Sequence, residues 1–200
     1  MRRTVTLLAV MAACLVMASG VALAVNRVGT NGNDVLRGTD GEDNLVGLGG
    51  QDDLFGKGGS DNLSGGPGKD NVLGGDERRA GGGDKNLDGG SGNDFVIGGR
   101  GSDNIAGDDG NDLLVDGNFR EDSRDNVAGG NGGDVLDVIN GPAFQDVVSC
   151  GGGFDRVLAD RKDTVARDCE KVFVGLDSID EFERSIPGSF FRGLPPNPFR

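Results

Sequence analysis

The chain of 200 residues has no histidine, tryptophan or tyrosine and only three cysteines. Without an imidazole there is no base for a Ser-His-Asp or Cys-His nucleophile and no histidine ligand for zinc. Basic residues are also scarce: 20 Lys and Arg stand against 33 Asp and Glu, a formal charge of −13. Nucleic-acid binding rests on displacing phosphate counterions with a basic surplus, so that class is disfavoured. The 39 glycines follow no Gly-X-Y triplet, which excludes collagen. Neither an HExxH nor a GxSxG motif occurs, so the chain is expected to carry no catalytic centre.

The one long apolar run lies at the start. Arg2 and Arg3 precede the apolar stretch Leu7 to Met17, and Ala22-Leu23-Ala24 offers small residues where a signal peptidase reads. This predicts a signal peptide over 1–24, cleavage before Val25, and a secreted, extracellular product. Thr4 to Val25 is also long enough for a membrane anchor. A lipoprotein box at Met11-Ala12-Ala13-Cys14 is a third reading, weakened by Met11 where leucine is expected. No second apolar span follows, so no membrane span is expected after cleavage.

What the chain does contain is a nine-residue period. Asp34, Asp43, Asp52, Asp61 and Asp70 are evenly spaced, as are Asp94, Asp103 and Asp112, and Asp134 shares their local pattern. Each has glycine five and two residues before it and an aliphatic two after it, as in GLGGQDDLF, GKGGSDNLS and GGSGNDFVI. Chance in this composition gives roughly 0.25 such windows over the chain. The short aliphatic trio suits a strand with one side chain pointing inward. The glycines at the first and fourth positions are expected to supply positive φ. Two blocks then form one coil, placing Asp34, Asp52 and Asp70 on one edge and Asp43 and Asp61 on the other. At the strand spacing of about 4.8 Å, two carboxylates repel by about 3.5 kcal/mol at an effective dielectric near 20. Cations between the rungs would relieve this. Carboxylates and backbone carbonyls suit hard ions, and calcium accepts flexible all-oxygen shells where magnesium prefers to keep its waters. Several Ca2+ ions are therefore expected at the nine aspartates. Asp134 has a regular block on one side only, so replacing it is expected to hurt less than replacing Asp52. One buried aliphatic per block is a thin core, so metal binding should become folding energy.

These blocks resemble the RTX (hemolysin-type) calcium-binding nonapeptide family over about Gly29 to Leu158. The resemblance implies an all-β fold, a parallel β-roll or right-handed β-helix solenoid of stacked repeats. Many such proteins leave by an exporter that reads a C-terminal signal, whereas this chain begins with a Sec-type peptide. Neither a toxin-style export route nor the hemolysin name is therefore carried over.

The inward aliphatics can be followed as Leu36, Leu45, Leu54, Leu63, Val72, Leu87, Val96, Ile105, Leu114, Val127, Leu136, Val148 and Val157. Their spacing breaks at 72→87, 114→127 and 136→148, which predicts loops inserted at turns. In the first break Lys85 stands where an aspartate is expected, and Asp125 in the second is only a possible ligand.

Cys150 and Cys169 form an even pair in an exported chain, favouring a disulfide over a redox site, since their spacing is far from Cys-x-x-Cys. The segment DVVSCGGGFDRVLADRKDTVARDCEKV looks like the terminal stretch of Sec-secreted actinobacterial proteins with these repeats, which implies a disulfide cap. The expected division is 1–24 signal peptide, 25–145 calcium-binding repeats, 146–174 cap, and 175–200 a short helix and flexible tail. Ser178-Ile179-Asp180-Glu181 matches a capping box, predicting a helix over about Asp177 to Ser185 that ends before Pro187. Pro195, Pro196 and Pro198 should keep the remainder extended. The phenylalanines at 173, 182, 190, 191 and 199 either pack back on the cap, sit in a mobile tail, or form a docking peptide.

The leading reading is extracellular calcium binding without catalysis. A calcium-dependent surface adhesin or matrix protein, with a cell-surface or matrix partner, is the alternative. An enzyme with accessory repeats lacks a catalytic domain, a pore-forming toxin lacks membrane segments, and ice binding lacks a regular threonine array.

Overall fold

The computed structural model describes residues 23–76, 83–117, 123–140 and 144–195. The apolar segment up to residue 22, Arg78 and Arg79, and Pro196, Pro198 and Phe199 fall outside those residues.

Among the described residues the chain winds between two parallel sheets of eight strands each. One holds β1 (Asn26–Val28), β3 (Asn44–Val46), β5 (Asn62–Gly68), β7 (Asn86–Gly92), β9 (Asn104–Asp109), β11 (Asn126–Gly132), β13 (Val147–Gly153) and β15 (Thr164–Val165). The other holds β2 (Val35–Arg37), β4 (Asp53–Lys57), β6 (Asn71–Asp76), β8 (Phe95–Arg100), β10 (Leu113–Gly117), β12 (Val135–Asp137), β14 (Arg156–Ala159) and β16 (Lys171–Val174). Odd strands pair only with odd strands and even with even, so each pair of consecutive strands is one coil of a parallel β-roll.

The register explains the core. Leu45, Leu63, Leu87, Ile105, Val127 and Val148 are Cα partners in sequence along the first sheet. Leu36, Leu54, Val72, Val96, Leu114, Leu136 and Val157 align along the second. All thirteen are buried in one cluster between the sheets. The strands from β2 to β14 each send one such side chain inward, because neighbouring residues point to opposite faces. On the outer face of the first sheet an amide ladder adds cohesion, with Asn62 Nδ2 donating to Asn44 Oδ1 (2.8 Å) and Asn126 Nδ2 to Asn104 Oδ1 (2.9 Å).

The two sheets continue through β16, so the segment closed by the disulfide is built of the roll's own last rungs. Cys150 and Cys169 are bonded, with Cα atoms 5.1 Å apart. Cys150 is completely buried and belongs to the aliphatic core. A 3-10 turn (Leu176–Ser178) leads into α1 (Ile179–Ser185), and α2 (Phe190–Gly193) follows. The capping box does not form: Ser178 has helical backbone angles and its hydroxyl donates to Val174 O instead (3.2 Å). The preceding 3-10 turn has already drawn Ser178 into a helical conformation, out of the extended one that a capping serine needs. The short α2 also departs from the extended segment expected around the prolines.

The tail phenylalanines mostly pack back on the roll. Phe182 of α1 meets Phe173 of β16 edge to face, centroids 5.6 Å apart, over a buried patch of Val135, Ile139 and Leu158. Phe190 packs against the same patch, and Phe191 is left 53% exposed. Arg156 Nε fixes the helix end by donating to Ser185 O (2.9 Å). Among the described residues, no helix is long and apolar enough to cross a membrane.

Candidate metal centre

Each strand from β2 to β15 is entered through an aspartate and β16 through Glu170, and these stack into two ladders at opposite edges of the roll. In the first, the backbone N–H of Asp34 donates to Asp52 Oδ1, that of Asp52 to Asp70 Oδ1 and that of Asp70 to Asp94 Oδ1, each at 2.8 Å. The same bond repeats from Asp94 to Asp112, Asp112 to Asp134 and Asp134 to Asp155, and the last rung runs from the Asp155 N–H to Glu170 Oε2. The second ladder links Asp43, Asp61, Asp84, Asp103, Asp125, Asp146 and Asp163 in the same way. All nine aspartates singled out by the repeat therefore sit in the ladders, in the alternation that the period implies.

The ladders are longer than the repeat indicates. Asp84, Asp125, Asp146, Asp155, Asp163 and Glu170 complete them. Asp146 and Asp155 stand two residues before Val148 and Val157, whose inward placement was legible, so that pairing was the signal for them. Lys85 is not a ladder position. Its backbone N–H bonds Asp61 O while Asn86 pairs with Asn62, so two residues oppose one in a bulge. Counting back two residues from Leu87 therefore stops one residue short of Asp84. The Lys85 side chain turns outward to Glu42 (2.8 Å). Asp134 is an interior rung too, with Asp155 and Glu170 beyond it, so no reason remains for it to matter less than Asp52.

One carboxylate oxygen of each rung thus accepts an N–H from the coil before; the second fares differently. The Oδ2 atoms of Asp52, Asp61, Asp70, Asp84, Asp94, Asp112, Asp125, Asp134 and Asp155 are buried without a hydrogen-bond partner. Burial opposes their charged form, and adjoining carboxylates add to the effect, while the N–H bond partly offsets it. The carboxyls are raised to about 6 for Asp61 and Asp146, about 7 for Asp70, Asp84, Asp94 and Asp134, and about 8 for Asp112.

The first-position glycines show what surrounds those oxygens. A Cβ on Gly65 would lie 2.6 Å from Asp70 Oδ2 and 2.6 Å from Gly89 O of the next coil. Gly107 meets Asp112 Oδ2 and Gly129 O, and Gly129 meets Asp134 Oδ2 and Cys150 O, in the same way. These glycines are kept for space and do not have positive φ. The left-handed residues are at the second and fourth positions, such as Gly90 (101°) and Gly92 (145°). The first-position expectation fails because the strand is still extended there and turns only one residue later. What a side chain would fill is a cradle whose polar atoms are carboxylate and carbonyl oxygens, the donors a hard cation takes.

The first two turns are built otherwise. Thr30 and Thr39 take the second position, and their backbone N–H groups donate to Asp34 Oδ2 (2.6 Å) and Asp43 Oδ2 (2.5 Å). Their hydroxyls reach the same oxygens at 2.8 and 3.2 Å. Asp34 and Asp43 therefore keep no orphaned oxygen.

The architecture has a counterpart in a known sequence family, although no curated protein matches the chain. The profile described as RTX calcium-binding nonapeptide repeat (4 copies) matches residues 28–63, 49–78 and 79–114. With its aspartate turns and parallel β-roll, the stretch 28–114 belongs to the RTX calcium-binding nonapeptide repeats.

Proposed function

We propose that the chain binds several calcium ions along its two aspartate ladders outside the cell, folds into its roll as it does so, and carries out no catalysis. The ligands are Asp52, Asp61, Asp70, Asp94, Asp103, Asp112 and Asp134, joined by Asp84, Asp125, Asp146 and Asp155; Asp34 and Asp43 belong to the same set but contribute least, because Thr30 and Thr39 already satisfy their Oδ2 atoms. The observation behind this reading is the row of buried, unpartnered Oδ2 atoms facing backbone carbonyls. A buried carboxylate without a partner is costly, and a divalent ion shared with the carbonyls removes that cost. Because one aliphatic per strand is a small core, the ions contribute folding free energy. The extracellular setting is supported by the basic and apolar N-terminal residues and by the Cys150–Cys169 bond, which suits an oxidising compartment.

Circular dichroism during a calcium titration tests this. A coil-to-β transition that magnesium does not reproduce is expected. Spectra unchanged up to about 5 mM calcium, beyond the range of weak extracellular sites, would overturn the proposal.

A further inference from the structure

The period breaks at Asp116, which sits where the neighbouring strand has Gly98, since Leu114 pairs with Val96 and Gly117 with Gly99. In the regular nonapeptide blocks that position is glycine, because a side chain would collide with the next ladder carboxylate; Cys150, opposite Gly129, is one departure and Asp116 another. Here the next ladder residue is Asp125, and the longer connection between them lets an aspartate point inward. The following coil also has a longer connection, which carries Asn140 before Asp146. The two irregular stretches converge: one ligand atom from each of Asp116, Asp125 and Asp146 lies within 4.8 Å of the others, and all three residues are buried.

A second observation is independent of this carboxylate cluster. Asn140, 1% exposed, inserts its amide among them, with Nδ2 at 2.8 Å from Asp116 Oδ2 and 2.9 Å from Asp146 Oδ2. Its own Oδ1 is buried and without a partner, as is Asp125 Oδ2. Half a turn of the amide would set Oδ1 between the two carboxylates, at the spacing of neighbouring ligands on one ion. We propose that Asp116, Asp125, Asp146 and Asn140 form a separate calcium site, built by the two insertions and filled before the repeat turns. Its three carboxylates and one amide oxygen give it more ligand charge than a turn that relies on backbone carbonyls, and ligand charge sets calcium affinity. The site shares Asp125 and Asp146 with the second ladder, so it rests in part on the calcium-binding reading, and the test separates the two.

Calcium uptake by the full chain is followed calorimetrically for the wild type, Asp116→Asn and Asn140→Asp, both substitutions keeping shape. The wild type is expected to take one ion at about tenfold lower free calcium than the rest. Asp116→Asn should lose that early phase and keep the later, cooperative uptake, and Asn140→Asp should move the early phase to lower calcium still. An early phase that is missing in the wild type, or unaltered in Asp116→Asn, overturns the site while leaving the ladders standing; carboxylates that merely share a proton would give that result. No uptake at all by the wild type overturns both.

Discussion

A ladder aspartate has two oxygens in different settings: Oδ1 stitches one coil to the next, and in most rungs Oδ2 is buried without a partner, the place proposed for a cation. Replacing Asp52 by asparagine keeps one acceptor for the Asp34 N–H and removes the charge at the orphaned position. The calcium midpoint of folding should rise by about tenfold, since ligand charge governs affinity. Asp134→Asn should do the same, because it too has rungs on both sides. Asp34→Asn should shift the midpoint much less, since Thr30 already satisfies Asp34 Oδ2. Equal shifts for all three, measured by circular dichroism, would contradict the division of labour between the two oxygens. Gly65→Ala probes the same cradle from its floor. The added methyl meets Gly89 O at 2.6 Å, a backbone atom that cannot step aside, so a loss of about 2 kcal/mol is expected in calcium. Chemical denaturation in saturating calcium reads that loss.

At the level of strands and turns, the regular part of the roll was legible because one signal, the nine-residue period, fixes strand, turn and ladder position together. Each inward aliphatic from Leu36 to Val157 is buried, including those beyond the three breaks. What was not legible is where an insertion places its extra residues. Asp84 was hidden by one bulged residue, and Asp116 and Asn140 come from irregular connections with no period to read. The three insertions separate Asp70 from Asp84, Asp112 from Asp125 and Asp134 from Asp146, so all enter the second ladder and none the first. The helix was legible from its residues, whereas its seat was not: α1 covers the outer face of the second sheet through Phe182 and leaves the end of the roll open, where Val172 is 40% exposed. Truncating Phe182 to alanine should therefore cost about 3 kcal/mol locally, as for other buried phenylalanines. Hydrogen exchange should show β14 and β16 losing protection while β4 to β8 keep theirs. Loss spread evenly along the roll would mean that the coils unfold as one unit.

Across the whole molecule, the raised carboxyls make acid a partial substitute for calcium. A carboxyl whose folded pKa exceeds its ordinary value near 3.8 favours the folded state fully below that value, and the contribution disappears as pH climbs through the folded pKa. For Asp61, Asp70, Asp84, Asp94, Asp112, Asp134 and Asp146 that loss extends over the interval from about 4 to about 8. Charge repulsion acts in the same direction, because acidification also brings the chain's net charge of −13 closer to zero. In calcium-free buffer the chain should therefore show more β-structure at pH about 5 than at pH about 8, with sedimentation velocity confirming that the acid form is monomeric. With calcium present the effect reverses, since protons and calcium compete for the same oxygens and the half-saturating concentration should rise as pH falls. A metal-free chain equally folded at both pH values would show that the buried oxygens need neither proton nor ion, and the coupling of calcium to folding would then have no physical source.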